Sequence, residues 1–96
     1  MAEYIFLMHD DCEANDDTWP PYLHKLQQAG CFEGGSAIGD GECVRKRGAP
    51  QAITAHLAGY IRVNADCLEA AKSLLTGNPV FEAGGTVGIR ELPHTD

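Results

Sequence analysis

Apolar and polar positions alternate along this chain in two distinct rhythms, and the switches between them divide it into elements. Glu3–Met8 is apolar on both sides of a two-residue repeat, with Tyr4, Phe6 and Met8 on one side and Ile5 and Leu7 on the other. That is the pattern of a central strand covered on both faces. After the acidic stretch "HDDCEANDD" the rhythm becomes helical: Trp19, Tyr22, Leu23, Leu26 and Ala29 fall on one stripe. Thr18 stands at the N-cap, Pro20 and Pro21 lie in the first turn, and Gly30 sits at the stop. Cys31–Ile38 is extended again, and Gly34 and Gly35 predict a bulge or a close backbone approach. "GDGECVRKRGAP" reads as a hairpin-like excursion with turn signals at both ends.

The next segment, Ile53–Asp66, reads as a strand with two unlike sides. Leu57, Gly59, Ile61 and Val63 form an ordinary core side, whereas His56, Ala58, Tyr60 and Arg62 form the other. Asp66 and Glu69 make a capping-box spacing for a second helix, with Leu68, Ala71, Leu74 and Leu75 inward and Gly77 as its stop. "NPVFEAGG" is read as a loop, and Thr86–Leu92 as the last strand. The order is β-α-β-β-α-β in a single domain over residues 1–96, without an internal boundary or linker. It predicts an α+β, ferredoxin-like fold: one antiparallel sheet with two helices on one face. A first strand apolar on both sides implies that the bare face is covered, most simply by a second copy of the chain.

Seven Lys and Arg against fourteen Asp and Glu give a formal charge of −7, which argues against a general affinity for nucleic acid or anionic membrane. No apolar run approaches the roughly 20 residues of a membrane span. "MAEYIFLMHDD" has no basic leader and is read as a strand, not a signal peptide. Cys12, Cys31, Cys43 and Cys67 include no CxxC pair. Four cysteines allow three disulfide connectivities, but without a secretion signal the expectation is reduced thiols in a cytoplasmic protein.

The ordered set "EYIFLMHDD", "LQQAGCFEGGSAI", "GYIRVNADCLEAAKSLLTGNPVF" and "VGIREL" resembles the YCII-related (YciI-like) proteins of the dimeric α+β barrel superfamily nearly end to end. The resemblance implies a homodimer with two sheets packed face to face, and no single reaction. It also implies a catalytic pair, a histidine in the first helix and an aspartate soon after strand two. Counting back from Gly30, the histidine's place falls at or near Trp19, while Asp40 lies close to that of the aspartate. A branch with a DGPF-type motif before strand three corresponds to "RGAPQAITAHLAG" only in its glycines.

Because the family's own pair is incomplete, candidate chemistry is read from the residues themselves. In a split βαβ sheet strands one and three are antiparallel neighbours, so the end of one lies beside the start of the other. With Ile5 and Leu7 assigned to the helix side, Tyr4, Phe6, Met8 and Asp10 share the open face with His56, Tyr60 and Arg62. Asp10 holding one ring nitrogen of His56 would leave the other free to take a proton. Arg62 could pair with a small acid and Tyr60 could stack or hydrogen-bond, with Asp40 as a further substrate contact. Read as ordinary structure, the same residues are satisfied interface polars, and a one-residue register change would turn Asp10 away.

The other motifs read blandly. "MHDDC" matches no established metal spacing and is taken as a solvated acidic loop, so no metal or cofactor is expected. His24 falls on the exposed side of its helix, and "VRKR" is a solvated tip that could guide an anionic ligand. "GGSAIGDG" lacks phosphate-loop spacing. Two functions follow. One is a small enzyme (lyase, isomerase or hydrolase) using acid–base catalysis on a small anionic or aromatic molecule, in a pocket between the sheets of a homodimer. The other is a non-catalytic ligand-binding or accessory protein of the same fold.

Overall fold

The structure, a computed structural model, describes residues 2–94. Its elements are β1 (Ala2–His9), α1 (Trp19–Gln28), β2 (Phe32–Ala37), β3 (Leu57–Ala65), α2 (Leu68–Ser73), α3 (Pro79–Glu82) and β4 (Val87–Leu92), with a 3-10 turn at Asp16–Thr18 before α1. The four strands form one antiparallel sheet in the order β2-β3-β1-β4. This α+β architecture is compatible with a ferredoxin-like fold. Among the described residues no helix is long and apolar enough to cross a membrane.

One face of the sheet carries the core. Phe6 and Val63 are fully buried, and Tyr4, Met8 and Ile61 nearly so, against Tyr22 and Leu26 of α1, Ala71 of α2, Leu75 in the turn that follows it, and Val80 of α3. The register corrects the expectation for β1. Tyr4, Phe6 and Met8 stand opposite Val63, Ile61 and Gly59, whereas Ile5 and Leu7 stand opposite Arg62 and Tyr60. Tyr4, Phe6 and Met8 therefore face the helices, and Ile5 and Leu7 share the open face with Tyr60 and Arg62. A strand apolar on both sides gives no signal of which side turns inward. The larger aromatic and methionine set fills the gap under the helices, where complete burial yields the greater hydrophobic stabilisation.

Local chemistry sets the element ends. After α1 the chain turns at Gly30 (φ +73°), where the Gly30 and Cys31 amides donate to the Gln27 and Leu26 carbonyls at 3.0 and 3.2 Å. This is a Schellman closure, and the positive φ favours glycine. Thr18 occupies the N-cap position, but its hydroxyl donates back to the Asn15 carbonyl at 2.6 Å. The glycine pair in β2 acts as expected: the register shifts between Phe32 and Gly34, and a Cβ on Gly35 would sit 2.5 Å from the Tyr60 carbonyl oxygen.

Three boundaries differ from the sequence reading. β3 begins at Leu57, and Ile53–His56 is a turn closed by Leu57 N–H to the Thr54 carbonyl at 3.1 Å. β1 ends at His9, so the earlier residues have no β1 partner to pair with. The cap of α2 is Cys67, without a side-chain bond, because β3 runs to Ala65 and residues 66–67 form the bend. "NPVFEAGG" contains α3, whose Asn78 Oδ1 accepts from the Val80 and Phe81 amides at 3.0 and 3.1 Å. Pro79 follows at the position that tolerates a missing N–H. Residues 38–56 contain no strand among the described residues and form an exposed excursion. All four cysteines are free thiols.

Candidate functional site

Small residues cluster where β2 meets the start of β3: Gly35, Ser36 and Ala37 on one strand, Ala58 and Gly59 on the other. They leave volume that the large side chains of α1 roof over without filling. The result is a cavity of about 460 Å³, within the size range of small-molecule sites. Trp19 and Leu23 line it from α1, Phe32 and Gly35 from β2, Gly59 and Ile61 from β3, and Met8 from β1. The loop between β1 and α1 adds Asp10, Cys12, Ala14 and Asp16. Trp19 is half-buried and stands edge-on to Tyr22, ring centroids 6.0 Å apart. Its indole is braced from inside the core while part of it borders the cavity.

His9, the last residue of β1, also borders this cavity. Its ring packs against that of His56, centroids 4.7 Å apart and planes 30° from parallel. Asp11, two residues on, fastens the loop to the entry of β4. Its carboxylate accepts from the Thr86 amide at 2.9 Å and from the Thr86 hydroxyl at 2.6 Å. The hydroxyl contact first, and the amide second, hold the Asp11 carboxyl below the usual carboxylate range. The "MHDDC" run thus disperses. His9 turns to His56, Asp11 to Thr86, and the Cys12 thiol donates to the Val80 carbonyl at 3.8 Å.

The structure distributes the residues singled out in the sequence over several places. Asp10 and His56 meet through the backbone, the Asp10 amide donating to the His56 carbonyl at 2.7 Å. Among the described residues no hydrogen bond or ion pair joins their side chains, and the ring beside His56 is that of His9. Tyr60 stands on the open face, opposite Leu7 on β1 and Ser36 on β2, and reaches only the rim of the cavity. Arg62 is committed elsewhere: its guanidinium donates to the Glu3 carboxylate at 2.7 Å and to the Glu33 carbonyl at 2.9 Å. Asp40 is exposed in the excursion and is not among the residues bordering the cavity.

His9 and Trp19 were the residues the sequence underweighted as a pair. The available signal was the small-residue run "GGSA" on β2, whose Ala37 stands opposite Gly59 on β3, which marks a hollow once the two strands are paired. A second concavity, about 280 Å³, lies inside the excursion, where the Cys43 sulfur and Thr54 hydroxyl are 3.3 Å apart. That contact lowers the Cys43 thiol below its ordinary range. No protein-family model matches the chain, and no curated protein matches it.

Proposed function

We propose that this chain is a YCII-related protein that binds a small molecule in the cavity between α1 and the β2–β3 side of the sheet. The observation that carries the reading is the cavity itself: mostly apolar walls, an indole at one side, and a few polar groups from the sheet and the β1–α1 loop. Titrating small aromatic molecules while following the emission of Trp19, the chain's single tryptophan, tests it. A saturable change is expected, and it is lost when Ala14→Phe fills the space. An emission that no such molecule alters would end the proposal.

An enzymatic reading is favoured by one observation, the His9–His56 stack at the cavity's border. In that reading His9, not the Asp10–His56 pair, takes or gives the proton of the bound molecule. A lyase, isomerase or hydrolase working this way has a titrating limb in its pH–rate profile, which simple binding need not have.

The functional unit in this reading is a cytoplasmic homodimer, the dimeric α+β barrel, closed through the open faces of two sheets. Shape supports it. The molecule is a slab of 46 × 38 × 19 Å with a radius of gyration of 14.5 Å, against about 12.5 Å for a compact chain of this length. Ile5, Leu7 and Tyr60 lie half-buried on the open face beside the Arg62–Glu3 pair and Arg90. Apolar residues with both signs of charge make a surface that a two-fold copy can complement.

A further inference from the structure

The charges around the cavity are one-sided. Counting histidine as neutral, the only charged residues that border it among the described residues are Asp10 and Asp16, both exposed at its loop side. None of the chain's seven Lys and Arg residues borders it, and the fold places each of them elsewhere. Lys25 donates to the Thr76 carbonyl at 3.0 Å. Arg62 pairs with Glu3, and Lys72 with Glu69 at 3.2 Å. Arg45, Lys46 and Arg47 lie on the excursion, and Arg90 stands on β4 opposite Ile5.

An anionic ligand would thus meet two carboxylates and no cation, in a protein of net charge −7. An ammonium group would meet the reverse. Asp10 and Asp16 supply charge-assisted acceptors, and the Trp19 indole lines the same cavity as an aromatic ring able to attract a cation. Asp11 adds no third carboxylate here: it does not border the cavity, and both its oxygens are held by Thr86.

We infer that the cavity selects an organic amine: an aromatic or similarly apolar body seated against Trp19, Leu23 and Phe32, with a positively charged nitrogen directed toward Asp10 and Asp16. This rests on the cavity being the ligand site, and it assigns the ligand's charge. Of the anionic or aromatic ligand expected from the sequence it keeps the aromatic alternative, since Arg62, the expected partner of an acid, is paired with Glu3.

Three probes of one shape and different charge test it: 2-phenylethylamine, 2-phenylethanol and 3-phenylpropionate. Binding to the full chain is followed by the Trp19 indole N–H resonance in titrations by NMR. The amine is expected to bind at least tenfold more tightly than the acid, with the alcohol between them. In Asp10→Asn/Asp16→Asn the amine and alcohol should become equal within about twofold. Both positions are exposed, and an unchanged amide spectrum elsewhere verifies the fold. Equal or tighter binding of the acid in the wild-type protein would overturn the amine assignment while leaving the cavity as a ligand site. An amine preference that survives in the double variant would overturn the roles of Asp10 and Asp16. If none of the three shifts the Trp19 signal, the cavity reading fails and this inference fails with it.

Discussion

The imidazole of His9 lies against that of His56, 4.7 Å between centroids, at the border of the cavity. His9 is held by the end of β1 and His56 by the turn that precedes β3, so the stack forms only when those strands pair. In His56→Ala the ring protons of His9 are expected to move downfield as the neighbouring ring current disappears. Those of His24, exposed on α1, should stay in place. Proton NMR of the histidine C–H signals reads both. If the cavity catalyses proton transfer, His9→Ala should lower turnover by about 10²–10⁴-fold without loss of fold.

The assignment of faces in β1 makes a stability prediction. Phe6 is fully buried between Ile61 and Ile89, so Phe6→Ala should cost about 3–5 kcal/mol. Leu7 is only half-buried on the opposite face, and Leu7→Ala should cost less than half as much at protein concentrations where the chain is monomeric. Urea unfolding of the two variants side by side would measure the difference; a reversed order would place the wrong face inward.

Alkaline pH probes the packing of α1. The Tyr22 hydroxyl is buried and donates to the Leu74 carbonyl at 2.8 Å. Burial, above all, pushes the phenol from its ordinary 10.0 up to about 12. The unfolded chain therefore ionises Tyr22 first, and its contribution to stability is complete below pH 10 and lost as pH rises toward 12. Tyr22→Phe should cost about 0.5–1.5 kcal/mol at neutral pH but lose less stability than wild type between those two pH values. Denaturant midpoints across that range would show it.

The proposed dimer depends on Leu7. An arginine there would confront Tyr60, with Arg62 and Arg90 on the same face. Sedimentation equilibrium should give a dimer for the wild type and a monomer for Leu7→Arg, with both chains folded. A monomeric wild type at high concentration would leave the open face to another partner.

How much of this was legible beforehand varies with the physics of each feature. The Gly30 stop, the α1 stripe of Tyr22 and Leu26, and the Gly34–Gly35 irregularity were readable because local sterics decide them. The inward side of β1 was not, since Tyr4, Phe6 and Met8 compete with Ile5 and Leu7 on equal terms until β3 and α1 are in place. α3 escaped because four residues are too short for a period, although Asn78 followed by Pro79 carried a cap signal. Asp10 was placed beside His56 correctly along the backbone and wrongly in its side chain, for the same one-residue reason. The bulge between Met8 and His9 then brings in His9, which no alternation pattern could have indicated.

The most direct test of the central claim, that the ligand site lies between α1 and the β2–β3 side of the sheet, is an amide-resolved NMR titration with 2-phenylethylamine. Shifts are expected at Trp19, Leu23, Ser36, Gly59 and Ile61, around the cavity. Shifts confined to Ile5, Leu7, Arg62 and Arg90 would put the ligand on the open face and contradict the account.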